Sequence, residues 1–435
     1  MKNLFYILFL LIPLAVFSQD EDNSAPPLTR NCSTMEVYDR LRAEDPDYEK
    51  RLSDIEDQIQ DYIKNHPQSE RMIINIPVVV HVVYKTAAQN ISTAQIQSQI
   101  NILNQDFQKL NSDVSGVPSV FQSSVANCQI NFCLATRDPN GASTTGITRT
   151  QTSKTSFSTN DYVKKTSRGG KDPWDRNKYL NLWVCNLSGG VLGYAQFPGG
   201  SAATDGVVIG YKYFGNTGTV VYPFDKGRTA THEVGHWLNL RHIWGDDGTS
   251  CSGSDLVTDT PNQSNENYGC PSFPQISCSN GPNGEMYMNY MDYTDDRCMF
   301  MFTNGQSSRM SAALNGTRAS LLTSNGCTAP LEPGNNNELD QSSNNNIQNN
   351  FKLYQNNPNP FNPTTTIRFN LPVSGFVTIK IFNVAGKEVA SLINSNLEAG
   401  QHSVEFNASN LTSGIYYYKM SDGVSTDIKK MILLK

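Results

Sequence analysis

The stretch "THEVGHWLNLRH", residues 231–242, holds three of the chain's six histidines, His232, His236 and His242, with Glu233 lodged between the first two. On a helix, residues four apart share a face. His232 and His236 therefore aim at one point, and Glu233 stands one position round, within reach of a water held there. His242 comes six residues after His236, where a continuous helix would turn it away. The helix must end near residue 239 and the chain must reverse. Asn239 occupies that turn, and asparagine is the next-best residue after glycine for left-handed backbone. Three neutral imidazoles that leave a fourth vertex for water make a tetrahedral catalytic zinc site, with Glu233 as proton acceptor. A metal site built only for stability would have no use for that carboxylate.

Outward from this stretch, the texture is that of an α/β unit. "IINIPVVVHVVYK" (73–85) reads as a strand. "STAQIQSQINILNQDFQKLN" (92–111) reads as a helix, opened by a capping box of Ser92 and Gln95, with Ile96, Ile100, Leu103, Phe107 and Leu110 on one face. "QINFCLATR", "LNLWVCNL" and "DGVVIGYKY" are further strands. Nearer the N-terminus, Leu52, Ile55, Ile59 and Ile63 recur at helical spacing, and Pro46 suits the first helical position. Beyond His242 the chain is rich in Gly, Asn, Asp, Ser and Cys and shows little periodicity.

Met1-Lys2-Asn3 followed by the uncharged run Leu4 to Phe17 reads as a secretory signal peptide, residues 1–18, cleaved after Ser18. No other stretch could cross a membrane, so the mature protein is expected to carry no integral membrane segment. A net charge of −6 without long basic runs gives no nucleic-acid footprint. Export makes the nine cysteines candidates for disulfides, and an odd count leaves at least one unpaired. The expected organisation is signal peptide 1–18, propeptide 19–71, catalytic domain 72–328, polar linker 329–350 and a small β-sandwich 351–435. The linker is too polar to bury a core, and glycines punctuate the short strands after it.

His232-Glu233-Val234-Gly235-His236-Trp237-Leu238-Asn239-Leu240-Arg241-His242 resembles the metzincin signature, with Asn239 in place of a glycine. "HEVGHWLNLRHIWGD" most closely resembles the pappalysin family, including its ulilysin-like bacterial members. "MNYMDYTDDRC" (288–298) resembles that family's Met-turn, with Met291 as the turn methionine and Tyr293 as the tyrosine that approaches the metal. The resemblance spans roughly 72–328. It implies a metzincin fold: a twisted mixed sheet, the active-site helix and an irregular C-terminal subdomain. It also implies a zinc endopeptidase acting on proteins or peptides. Asp296 would then lie in the S1′ pocket and favour Arg or Lys after the cut. The same resemblance implies disulfides Cys251–Cys278 and Cys270–Cys298 and structural calcium. The acidic loop offers Asp246, Asp247, Asp255 and Asp259, and the calcium set taken from it is Asp255, Thr258 and Asp259. Exposed carboxylates in a turn-rich loop are the plain alternative.

Cys32, in "TRNCSTM", could fill the open zinc vertex and keep a precursor latent, leaving eight cysteines to pair. A disulfide to Cys128, Cys133, Cys185 or Cys327, or a simple free thiol, competes with that reading. Removal of the leader near Glu70, Arg71 or Met72 would release the enzyme, and Arg71 suits self-cleavage. The opening "NPNPFNP" and the closing "GIYYYKM" of residues 351–435 resemble type IX secretion sorting domains, which implies passage through that machinery to the cell surface or beyond. Two other functions compete with the protease: a non-catalytic adhesin with a structural metal that binds through its C-terminal unit, read then as a carbohydrate- or cell-binding β-module, and a thermolysin-like enzyme using a distant glutamate such as Glu266 as its third ligand.

Overall fold

The computed structural model describes residues 29–66, 73–330, 351–371, 375–384, 386–398, 400–421 and 426–435. The expected signal peptide, the maturation cut at 70–72 and the linker beyond residue 330 lie outside them. The chain divides into two compact units, Met1–Pro333 and Gly334–Lys435.

In the first unit the valine-rich run 73–85 forms the long strand β1 (Ile74–Tyr84). On one side it pairs first with β2 (Ile130–Leu134) and then with β3 (Ile147–Gln151); on the other it pairs with β4 (Leu180–Cys185). All three pairings are parallel. The outermost strand on the β4 side is β5 (Gly193–Ala195), which runs antiparallel to β6 (Val207–Gly210), and β6 pairs parallel with β4. Parallel strands covered on both faces need apolar side chains on both, hence the unbroken valines of β1. Val78, Val80 and Val82 face the helices α3 (Thr93–Phe107) and α4 (Arg228–Trp237). Val83, Trp183, Tyr194 and Val208 point the other way, and Val37 of α1 (Thr34–Glu44) covers them.

Several local expectations change. Helix α1 was not anticipated from the charged leader. Helix α2 (Tyr48–Asn65) starts after Asp47, so Pro46 precedes the helix rather than opening it. Ser92 accepts the Gln95 amide at 3.1 Å, but the Gln95 side chain turns to the Phe214 carbonyl at 2.9 Å, so only half of the capping box forms. Tertiary partners outbid the local one. Leu110 lies past the end of α3 and is 66% exposed.

From Leu238 to Thr303 the backbone is largely irregular. It is held by Cys251–Cys278 and Cys270–Cys298 and ends at α5 (Asn304–Asn315), on which α2 packs. Cys133–Cys327 fastens the end of this unit to β2. Cys32, Cys128 and Cys185 lie in no disulfide, so six cysteines pair rather than the eight expected. Cys185 is spaced for burial within β4, not for a bridge.

The second unit is a β-sandwich. Its four-stranded sheet has the order β10 (Glu388–Leu397), β9 (Gly375–Asn383), β12 (Gly414–Ser421), β13 (Thr426–Leu433), and its three-stranded sheet the order β11 (Gly400–Asn407), β8 (Thr364–Leu371), β7 (Lys352–Leu353). Phe369, Ile379, Tyr418 and Met431 are among the side chains that fill the space between.

Candidate active site

Every residue of α4 is buried. The helix stops at Trp237, and Asn239 takes φ 72, the left-handed turn its position required. The reversal is fastened by the Leu240 amide on the Gly235 carbonyl at 2.9 Å, and it returns His242 to the helix. His236 Nε2 lies 3.1 Å from His232 Nε2 and 3.0 Å from His242 Nε2. The other ring nitrogens are all engaged: His232 Nδ1 with the Tyr290 carbonyl at 2.7 Å, His236 Nδ1 with the Leu240 carbonyl at 2.8 Å, and His242 Nδ1 with Asp246 at 2.6 Å. An Nδ1–H donated outward leaves the Nε2 lone pair facing inward. Burial holds His232 and His236 well below the usual imidazole range, so both are neutral. Two zinc–nitrogen bonds at a tetrahedral angle set their nitrogens roughly 3.3 Å apart, close to the spacing found, so the residues present fit zinc.

Cys32 completes the cluster: one donor atom from each of Cys32, His232, His236 and His242 lies within 4.8 Å of all the others. Residues Asn31 to Ser33 lie along β5 in parallel, with the Leu192 amide on the Asn31 carbonyl at 2.9 Å and the Ser33 amide on the Gly193 carbonyl at 3.1 Å. These residues thus pair with the edge strand β5, an edge that can take extended chain. Glu233 accepts from Cys32 Sγ at 3.4 Å and from the Thr34 hydroxyl at 2.9 Å. Burial pushes its carboxyl up to about 7. Thr34 also accepts the Ala195 amide at 2.9 Å. Tyr293 donates its hydroxyl to the Cys32 carbonyl at 3.1 Å. Met291 is fully buried below the helix, and a Cβ at Gly235 would sit only 2.5 Å from its sulfur, so the glycine is what lets Met291 approach.

Asp296 is fully buried. One of its oxygens accepts Arg30 Nη2 at 2.6 Å, and the other accepts the Lys226 amide at 2.8 Å and the Arg228 amide at 3.2 Å. Arg30 also donates to the Thr294 carbonyl and the Thr229 hydroxyl, and it lies over the Phe224 ring at 5.0 Å. Sequence reading missed Arg30 and Thr34, although both stand two residues from Cys32. It also missed Trp244, which stacks on His242 at 4.2 Å. Asp246, grouped with the calcium loop, serves His242 instead.

Both aspartates of the calcium set are hydrogen-bonded within the protein. Among the described residues the only group of three or more His, Cys, Asp or Glu placed to hold a metal is the one with Cys32. Asp259 is spent on the start of α5, accepting the Thr303 hydroxyl at 2.6 Å and the Gly305 amide at 2.9 Å. Asp255 accepts the Thr260 hydroxyl and the Val257 amide. Glu266 lies outside the histidine cluster and accepts the Tyr268 hydroxyl at 2.9 Å, while His242 supplies the third imidazole, against the thermolysin-like reading.

A carboxylate beside an imidazole-held metal, bordered by a strand edge able to bind extended chain, is the equipment of a metallopeptidase. Comparison with known proteins agrees. Residues 163–315 match the family described as pregnancy-associated plasma protein-A, and residues 355–434 match the secretion system C-terminal sorting domain. An extracellular metalloprotease of Arthroderma otae is 33% identical over 57% of this chain and 80% of its own. Tannerella forsythia promirolysin (a Glu-to-Ala mutant) is 51% identical over 67% of this chain and 97% of its own, with a TM-score of 0.63. Mature mirolysin with a cleaved peptide is 56% identical over 58% of this chain and 97% of its own, with a TM-score of 0.58. The chain belongs to the pregnancy-associated plasma protein-A peptidase family. It is a zinc metalloendopeptidase that reaches the cell surface or the medium, with protein or peptide substrates and a type IX sorting tail. No helix among the described residues is long and apolar enough to cross a membrane.

Proposed function

We propose that the chain is a latent precursor of an endopeptidase that cuts before arginine or lysine. His232, His236 and His242 hold the zinc, with Cys32 as the fourth ligand until residues 19–71 are removed near Arg71. The observation that carries the specificity is the Arg30 guanidinium on Asp296. It is an internal stand-in for a substrate side chain, satisfied by a carboxylate, a carbonyl, a hydroxyl and an aromatic face. Latency is supported by the occupied edge of β5. The existence of a relative as promirolysin and as a mature form also supports it, the former covering more of this chain.

When bound, zinc acidifies a water and polarises the scissile carbonyl. Once the leader has gone, the Ala195 amide and the Gly193 carbonyl are free to hold an extended substrate. Glu233, released from Cys32 and Thr34, takes the proton of the attacking water and passes it to the leaving amine. Tyr293, released from the Cys32 carbonyl, turns its hydroxyl to the developing oxyanion. Trp244 and Phe197 keep the imidazoles dry from the sides. Calcium is placed by this reading at Asp255, Thr258 and Asp259, and a rise in thermal stability on adding calcium to zinc-loaded protein would support it.

A peptide-library digest tests the whole. Processed enzyme should place Arg or Lys after the cut, lose activity to a chelator, and lose about 10²–10⁴-fold in kcat as Glu233→Ala. Asp296→Asn should erase the basic preference, and full-length Cys32→Ala should act without processing. An unprocessed Cys32→Ala chain that stays inert sinks the latency mechanism.

A further inference from the structure

Arg30 is not the only leader arginine seated on a buried aspartate. Arg40, on α1, donates to Asp161 Oδ2 at 2.5 Å and to the Thr159 carbonyl at 3.3 Å. The Asp161 side chain is 1% exposed, and its backbone is held at φ 61, a left-handed conformation that residues with a Cβ rarely adopt. Its other oxygen meets Lys164 Nζ at 2.8 Å. Lys164 is itself fully buried, 5.0 Å from the Tyr194 ring and 5.5 Å from the Trp183 ring. Tyr194 belongs to β5. The Asp161 site therefore lies behind the strand along which Cys32 is laid, eight residues of chain before Arg40. From Thr34, the first residue of α1, the six residues of helix to Arg40 rise about 9 Å.

The surroundings match the carboxylate. Val37 and Leu41 of α1 pack with Phe157, Val163 and Leu187 of the catalytic unit. Val37, Arg40 and Leu41 follow the i, i+3, i+4 spacing of one helix face, so the surface reads an arginine flanked by apolar neighbours one turn back and one residue on. Loss of α1 would uncover this apolar patch with a buried carboxylate at its margin.

We propose that this face is a second recognition site of the processed enzyme, taking an amphipathic helical segment of a protein substrate through an arginine bound to Asp161. This inference rests on removal of the leader. The site raises the local concentration of substrate at the cleft without touching the reacting atoms.

The test uses processed enzyme and two substrates: a heptapeptide with arginine after the scissile bond, and the same heptapeptide joined by a flexible linker to residues 35–45 of this chain. The fused substrate should show kcat/KM about tenfold higher through KM, with kcat little changed. The advantage should vanish with Arg40→Ala in the fused segment. On the enzyme, Asp161→Asn combined with Lys164→Met removes both buried charges together, which avoids stranding either one. In that variant, shown to be folded by its thermal transition, the ratio of fused to unfused kcat/KM should fall to about one. A fused substrate no better than the heptapeptide, or an advantage that survives Arg40→Ala, overturns the proposal. If the chain with its leader intact already cleaves the heptapeptide as fast as processed enzyme, the latency reading fails instead, whatever the fused substrate does.

Discussion

Asn239 stands where the zinc-binding signature has glycine, and the turn it makes is the one left-handed step that brings His242 to the other two imidazoles. Its cost is that of a Cβ at φ 72. Asn239→Gly should be neutral or slightly stabilising, whereas Asn239→Ala should cost about 1–2 kcal/mol in urea denaturation, because alanine keeps the Cβ and loses asparagine's tolerance for that conformation. His81 raises a different question, that of charge. It sits in the middle of β1, fully buried, between the Thr148 hydroxyl at 2.8 Å and the Asn181 side-chain carbonyl at 3.0 Å. Burial lowers its pKa from 6.5 to about 4. The folded state therefore binds fewer protons than the unfolded state between those values, and stability from this group is full above pH 6.5 and lost as pH falls toward 4. The loss amounts to roughly 3 kcal/mol at most. The stability gap between the parent and His81→Asn should narrow over that window, as followed by denaturant midpoints at stepped pH. A gap independent of pH would mean that His81 carries no such linkage.

Among the elements, α2 is held to α5 by more than the apolar contacts that its periodicity announced. Ile55 and Ile59 pack on Ala312, and Glu56 pairs through both oxygens with Arg309, a guanidinium that is 1% exposed. Arg309 in turn donates Nε to the Asn239 carbonyl at 2.8 Å, so a leader helix is tied by one side chain to the turn that carries the third histidine. Glu56→Gln should weaken the full-length chain by about 1–2 kcal/mol, since a neutral amide leaves the buried cation only partly compensated. The measurement is the urea denaturation midpoint of the full-length chain, parent against Glu56→Gln. The sequence made α2 and α3 legible through their apolar periodicity, β1 through its unbroken apolar run and α4 through the spacing of its histidines. It left α1 unread, since that helix has one strongly buried apolar residue, Val37, and its ion pair with Asp161 joins it to a partner far along the chain.

At the scale of the whole molecule, the first unit closes on itself through Cys133–Cys327, which spans 194 residues. The Thr136 amide meets the Gly326 carbonyl beside it at 2.8 Å. A cross-link over so long a loop restricts the unfolded chain most, worth about 3–5 kcal/mol in the chain-entropy account. Replacing both cysteines by alanine should lower the thermal transition of this unit by several degrees while leaving the β-sandwich unit, which has its own core, unaffected. Calorimetry that resolves the two transitions is the check.

The sequence by itself determined the metal-binding helix, the turn at Asn239, the Met-turn and the sorting tail. In the first two, spacing along the chain is spacing in space; the last two were legible through their resemblance to known families. The tertiary structure decided what spacing could not express. Arg30 meets Asp296 across 266 positions, and Thr34 reaches Glu233 across 199. The acidic loop gave its carboxylates to His242 and α5, and Gln95 left its cap for a distant carbonyl. A side chain's partner is settled by which buried groups most need satisfying once the sheet has brought them together, and no period in the chain encodes that choice.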